Sequence, residues 1–354
     1  MSVNCLSMME YDSEMEKILK TAKVRIKVIG CGGAGCNSVT NLKKFGLSGA
    51  KLIALNTDAA HLKDKTDSDV LMLIGERLTN GHGAKADPNV GRDAAIESRD
   101  SIMKATANAD LVFIIAGMGG GTGTGSAPIV AQAAKANGAQ VICFVTLPTK
   151  SEGEIRKQNA KIGLESLTKV SHTVIVISNE RLKQINNKKN EEESYAMADK
   201  FIVDQISGIV NTITDTSLIN VEFSDLMRVL SHSRAAYVGV GESSGGEKRM
   251  DFALNDALTN QLIDVDISKA KGCLMRVIGG NFTIDEFDDI SKKMLGMMNE
   301  DCEFIVGADI KEEMGDAVKI FLIITGVDSN FIIGNGDDID PHLFGDDDSD
   351  NRIA

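Results

Sequence analysis

The amino-acid sequence predicts a doubly wound, Rossmann-like α/β domain joined by a long central helix to a smaller α+β domain. Two observations carry this prediction. From residue 24 onward, short apolar runs of the kind that fill a buried parallel strand alternate with helical stretches. Beyond a charged break, "NKKNEEES" at 187–194, the alternation gives way to one long helical pattern and then to strand-like runs with a helix between them. The chain has 354 residues, enough for two domains with cores of their own.

Residues 1–22 are polar and acidic and read as an N-terminal extension, with a short helix at "SEMEKILKTA". "VRIKVIG" is a strand running into "GCGGAGC"; "NSVTNLKKFG" is a helix, and "AKLIALNTD" a second strand that completes a βαβ unit. "DVLMLIG" is the third strand. The stretch 87–109 reads as one helix, with Asp87 as N-cap and Pro88 in its first turn. "DLVFIIAG", a helix from about Ser126 to Asn137, "AQVICFVTLP", a helix from about Glu152, and "TVIVISN" complete a domain over 23–194. "YAMADKFIVDQISGIVNTITD" carries apolar residues at helical spacing and predicts a central helix within 195–219. The smaller domain spans 220–327, with strands in "GCLMRVIGG", "DCEFIVGAD" and "VKIFLIITGV" and a helix in "TIDEFDDISKKMLGMM". The tail, 328–354, is acidic and expected to be disordered.

Composition removes several function classes. A formal charge of −13, 4% aromatic residues and no tryptophan argue against a nucleic-acid partner. The six cysteines show neither a C-x-x-C pair nor metal-ligand spacing, which predicts reduced, core-filling thiols in a cytoplasmic protein and no metal held by side chains. No apolar run is long enough to cross a bilayer and no signal-peptide pattern opens the chain, so direct membrane insertion is not expected.

Two glycine-rich loops carry the chemistry. Gly30, Gly32 and Gly35 fit G-x-G-x-x-G between a strand and a helix, and Asp58 closes the next strand, where an NAD enzyme would hold a ribose. Taken alone this loop points to an oxidoreductase, for which His232 is the nearest candidate base. The second loop, "GGGTGTG" at 119–125, follows a later strand of the same sheet and also opens a helix. Bare backbone N–H groups at a helix start, with the positive end of the helix dipole, hold a phosphate. Thr122 and Thr124 add hydroxyl donors. Two such loops on neighbouring strand ends predict one polyphosphate gripped from both sides. No GxxxxGK[ST] is present, so the site is not a P-loop.

These residues resemble a known family, the tubulin-like GTPases, and within it the branch that builds the cell-division ring. "GGGTGTGSAP" is similar to the family's signature loop and "VIGCGGAGCN" to its first nucleotide loop. "NTDAAHL", "GHGAKADPNVG" and "SEGEIR" fall in the order of the other ligand loops, so the likeness covers roughly 23–327. The resemblance implies GTP and GDP as ligands, with Mg²⁺ held mainly by phosphates and water and a monovalent cation as a further candidate.

Residue by residue, the resemblance implies that Gly32, Gly33, Ala34, Gly35 and Asn37 line the nucleotide, together with Asn56 and Asp58 of the next loop. Gly119, Gly120, Gly121, Thr122, Gly123 and Thr124 cradle its phosphates, and Ala84, in "AKADP", belongs to the loop that senses the γ-phosphate. Glu152 and Arg156 lie beside the ribose. Tyr195 stacks on the base, and Asp199 accepts from the guanine ring N–H and amine. The family's catalytic loop, N-x-D-x-x-D, enters the pocket of the next subunit; here it reads Asn220, Glu222, Asp225, with glutamate at the first acidic place. The resemblance further implies head-to-tail homopolymers at the mid-cell division site. A slowly hydrolysing scaffold is the alternative that Glu222 raises. An adaptor protein would dock on the tail segment "DIDPHLF", which lacks the basic end of the bacterial tail peptide and leans towards the archaeal type.

Overall fold

The computed structural model describes residues 23–180, 191–214, 218–233, 236–259 and 266–327. The helix expected at "SEMEKILKTA", the first half of the charged break and the tail segment "DIDPHLF" lie outside the described residues. The elements in chain order begin with β1 (Ile26–Cys31), α1 (Gly32–Lys44), β2 (Ala50–Asn56), α2 (Ala59–Lys65), β3 (Val70–Leu73) and α3 (Glu76–Thr79). They continue with α4 (Pro88–Glu97), α5 (Arg99–Thr106), β4 (Leu111–Gly117), α6 (Thr122–Ala136), β5 (Gln140–Leu147), α7 (Glu154–Val170) and β6 (Thr173–Ser178). After α8 (Glu191–Thr214) come α9 (Phe223–Ser231), β7 (Ala236–Ser243), α10 (Arg249–Leu258), β8 (Gly272–Gly279), α11 (Ile284–Leu295), β9 (Glu303–Ile310) and β10 (Val318–Thr325).

The first sheet has the order β3-β2-β1-β4-β5-β6, and every neighbouring pair is parallel. Its central strands are apolar along their length because helices cover both faces, as at Leu111–Ala116, where every residue is buried. Chain order reverses between β1 and β4, and the C-terminal edge beside such a switch point is where open α/β sheets leave a crevice. The second sheet runs β7-β10-β8-β9, antiparallel except for the β8–β9 pair.

The long helix α8 joins the two sheets through apolar residues spaced three and four apart: Ile202, Val203, Ile206, Ile209 and Val210 are buried. Gly208 lets the helix sit on β10, since a Cβ there would lie 2.4 Å from Cε2 of Phe321. Both sheets therefore belong to one continuous apolar core.

Several element boundaries differ from the sequence prediction. The helix expected over 87–109 is two helices, because Ser98 takes a non-helical backbone and its hydroxyl accepts from Gly75 N at 3.0 Å. α6 starts at Thr122, not Ser126, so the glycine-rich segment is itself the first turn of the helix. α8 starts ahead of Tyr195, inside the charged break. β7 and α10 were not anticipated. Gly239 and Gly241 thin the apolar pattern of β7, and they are required there: a Cβ on either would lie 2.2 Å or 2.1 Å from a carbonyl oxygen of α10.

The same close approach fixes α4 against α6. A Cβ on Gly125 would sit 2.1 Å from Pro88 O and 2.4 Å from Arg92 N, and one on Gly91 would sit 2.2 Å from Gly121 O. Backbone cannot move aside as a side chain can, so Gly125→Ala is expected to cost about 3 kcal/mol or more. A Cβ on Gly120 meets nothing within 4 Å, and Gly120→Ala should keep close to the parent stability. Thermal unfolding of the two variants side by side checks this, and equal melting temperatures would contradict it.

Candidate active site

At the C-terminal edge of the first sheet lies a cavity of about 490 Å³, within the range of nucleotide-sized pockets. Its floor is made by the ends of β1, β4 and β5, at Cys31, Ile115–Gly117 and Thr146. Two helix N-termini open into it. Gly32, Gly33, Ala34 and Asn37 line it from the first turns of α1, and Gly120, Gly121, Thr122 and Gly123 from the start of α6. No acidic residue occupies the first turn of either helix, so both positive dipole ends are available to an anion. The two starts are pressed together, since a Cβ on Gly32 would lie 2.7 Å from Gly123 N. The hydroxyls of Thr57 and Thr122 meet at 2.6 Å and tie the loop after β2 to the glycine-rich turn.

A different wall comes from α8, with Tyr195, Ala198, Asp199 and Ile202, and from Glu152 and Arg156 around the start of α7. Glu152 is fixed three ways: Oε1 accepts from Thr149 N at 2.9 Å and from the Tyr195 hydroxyl at 3.2 Å, while Oε2 pairs with Arg156. Asp199 accepts from the Ser38 hydroxyl and, at 3.3 Å, from Asn41 Nδ2, which binds α8 to α1. Burial raises the Asp199 carboxyl above the ordinary carboxylate range, and the Ser38 bond pulls it part of the way back. Cys31, at the cavity floor, is pushed far up by burial in apolar surroundings and is no nucleophile.

Six of the expected ligand residues do not line the cavity and shape it from behind. Thr124 accepts from Gly119 N at 2.9 Å, so these two hold each other and shape the turn. Gly35 is packed against β4, where a Cβ would lie 2.3 Å from Ile115 O. Asn56 Oδ1 accepts from Thr57 N at 2.9 Å and shapes the turn after β2. Asp58 is the N-cap of α2, accepting from His61 N at 2.9 Å, and so does not face a ribose as in the oxidoreductase reading. Ala84 is buried beneath Gly121, whose Cβ would lie 2.8 Å from the alanine Cβ. The following residues, Lys85 and Ala86, both take positive φ (48° and 60°), a strained pair that Asn159 secures by donating to Ala86 O and Gly119 O.

Asn179 was not anticipated. It stands just past the end of β6, is 5% exposed and lines the cavity, and its Oδ1 has no hydrogen-bond partner among the described residues. A buried acceptor without a donor is costly, and one at a cavity wall fits a ligand that supplies the donor. Its position past the C-terminal end of a parallel strand was the available signal.

Asn220, Glu222 and Asp225 are not among the lining residues. They sit at the start of α9, beside the second sheet, where Ile219 forms a bridge with Ala308 of β9. Glu222 is the N-cap of α9, and Asp225 reaches back to accept from Glu222 N at 3.0 Å. His232 is likewise remote, paired with Glu303 at 2.9 Å, which leaves the oxidoreductase reading without its base.

Two helix starts free of acidic side chains, opening into one cavity walled by a long helix that carries a carboxylate, are the arrangement expected of a tubulin-like GTPase. The comparisons agree. The family model "Tubulin/FtsZ family, GTPase domain" matches residues 25–187, and "FtsZ family, C-terminal domain" matches 234–328. This chain belongs to the Tubulin/FtsZ family. It is 41% identical over 327 residues to "Cell division protein FtsZ 1" of Methanocaldococcus jannaschii, covering 92% of this chain and 89% of that protein. The corresponding protein of Halobacterium salinarum is 40% identical, covering 92% and 82%. The solved "FtsZ dimer, empty (M. jannaschii)" superposes with a TM-score of 0.81 at 41% identity, covering 89% of this chain and 92% of that one. The GTPγS-bound protofilament of CetZ2 from Haloferax volcanii shares the fold alone, at 21% identity and a TM-score of 0.72, covering 86% and 94%.

Proposed function

We propose that this chain is a GTP-dependent, head-to-tail polymerising GTPase of the cell-division ring, whose active site is completed by the catalytic loop of an adjacent copy. One observation carries the reading. The carboxylates that line the cavity, Glu152 and Asp199, are already engaged by Arg156, Tyr195 and Thr149 and by Ser38 and Asn41, beside the wall formed by α8. The glycine-rich phosphate cradle has no acidic side chain of its own, while Glu222 and Asp225 stand together on the second sheet's side. A pocket on one surface and its missing carboxylates on another make a heterologous contact, which propagates as a filament.

In this reading the N–H groups of Gly121–Gly123 and Gly32–Ala34 bind the phosphates and spread their charge. Asp199 accepts from the guanine N–H and amine, Tyr195 covers the base, and Asn179 Oδ1 takes a donor from the nucleoside. Asp225 of the adjacent copy orients the attacking water, with Glu222 beside it. A Mg²⁺ arriving with the nucleotide would take its oxygens mainly from phosphates and water. A monovalent cation is left as a candidate for the same cradle. No helix of the described residues is long and apolar enough to cross a membrane, and attachment to one is assigned to an adaptor binding the acidic tail.

The reading is tested by measuring GTP turnover against protein concentration, with ATP as control and light scattering recorded alongside. Turnover per subunit should rise steeply at the concentration where scattering begins; turnover independent of concentration would sink the shared site. Glu222 carries one methylene more than the aspartate of the family motif, and its Oε2 is held by the Ser224 hydroxyl at 3.3 Å. Because misplacement of about 1 Å can cost on the order of a hundredfold, Glu222→Asp is expected to raise turnover in filaments at least about threefold. A faster parent enzyme would instead place the work on Asp225 alone.

A further inference from the structure

We propose that Arg228 is a positioning residue for hydrolysis at the subunit joint, holding Asp225 from within its own chain so that the carboxylate is already oriented when it enters the neighbouring pocket. The proposal rests on the reading of Asp225 as the carboxylate supplied in trans. Arg228 lies one turn after Asp225 on α9, and its Nη2 donates to Asp225 Oδ1 at 2.9 Å. Its Nε forms an ion pair with Glu303 Oε1 at 2.7 Å, and Glu303 Oε2 meets His232 Nε2 at 2.9 Å. Glu303 opens β9, and its backbone N–H donates to Lys271 O at 2.9 Å, so the far end of the chain of contacts is anchored in the second sheet.

The near end is anchored as well, because Asp225 Oδ2 accepts from Glu222 N at 3.0 Å. Each carboxylate oxygen thus has one fixed donor and keeps a further lone pair for a water. Stability does not account for the arrangement. The Arg228 side chain is 59% exposed and that of Glu303 33% exposed, and pairs at such exposure contribute little. Orientation does account for it: with Arg228 removed, the carboxylate turns about its last torsion and is held by one bond only. Displacement of about 1 Å in a group that positions a reactant costs on the order of a hundredfold in rate.

The test compares Arg228→Ala, Arg228→Lys and Asp225→Asn in the full chain, measuring nucleotide affinity of the unassembled protein, critical concentration, and GTP turnover per polymerised subunit. Arg228→Ala is expected to bind GTP as the parent does and to assemble near the parent's critical concentration, with turnover in filaments at least about tenfold lower. Arg228→Lys, which keeps the charge but loses the planar fork, should recover only part of the rate. Combining Arg228→Ala with Asp225→Asn should lower turnover no further than Asp225→Asn alone. Parent turnover in Arg228→Ala filaments, with Asp225→Asn slow, overturns the role of Arg228 and leaves the shared active site standing. Parent turnover in Asp225→Asn overturns both. Should Arg228→Ala fail to assemble, Glu303→Gln releases the far anchor; reduced turnover in its filaments supports the proposal and unchanged turnover overturns it.

Discussion

Asp225→Asn is expected to leave GTP binding and assembly intact and to lower hydrolysis in filaments by about a hundredfold or more. A positioned acid–base group contributes roughly 10²–10⁴ in rate, and a neutral amide neither polarises the attacking water nor takes its proton. The fold should tolerate the change. Asparagine keeps an oxygen to accept from Glu222 N, so the start of α9 stays capped, and the lost ion pair with Arg228 is solvent-exposed on the arginine side. Phosphate release measured above the critical concentration, beside scattering, separates the two effects. Filaments that persist longer than the parent's under limiting GTP are the accompanying sign, because hydrolysis is what weakens the joint in the proposed cycle. Asp225→Asn filaments that release phosphate at the parent rate would move the catalytic role elsewhere.

The position of Asp225 also shows what a sequence can convey. That "NVEFSD" carries the acidic pair was legible from its match to the family motif. That the pair sits at the N-cap and in the first turn of a helix, tied to the second sheet through Arg228 and Glu303, was not, because the Glu303 partner is far away in the chain. The parallel sheet was legible for a local reason: its strands are nearly continuous apolar runs, Lys27 and Lys51 apart, separated by helices. β7 was missed because its glycines answer to the backbone of α10, a constraint that exists only after folding. The phosphate loops divide in the same way. Their glycines marked a close backbone approach, but local pattern does not say which face a ligand and which face neighbouring chain. Gly120 stands open to space, whereas Gly35, Gly123 and Gly125 are pressed on backbone. Ser38 acts through Asp199, a partner brought to it by topology, and left no local mark, whereas Asn179 was marked only by its place just past a parallel strand.

Asp199→Asn should separate the stability of the empty protein from its choice of base, moving the two in opposite directions. In the proposed pose the carboxylate accepts two donors from guanine; the amide accepts one and turns its own donor towards the guanine amine. A hydrogen bond to a charged group is worth about 1.5–3 kcal/mol, so GTP affinity should fall at least about tenfold and approach a hundredfold. Xanthosine triphosphate has a carbonyl where guanine has the amine, which the new amide can donate to, and it should bind the variant better than GTP does. Without nucleotide the sign reverses. Burial raises the Asp199 carboxyl in the folded state, so the fold holds this proton more tightly than the unfolded chain does. The cost of the charge appears as pH rises above the unfolded value and is complete above the folded one, while acidification relieves it. Asparagine removes that cost, keeps an acceptor for the Ser38 hydroxyl, and gives up only the longer contact with Asn41, at 3.3 Å. The empty variant should therefore melt above the parent at neutral pH, and the gap should narrow as the buffer is acidified and the parent carboxyl is protonated. Melting curves across pH without nucleotide, paired with competition between the two triphosphates, test both halves. A lower melting temperature with guanine preference unchanged would show that Asp199 is a structural tie between α1 and α8 and not the reader of the base.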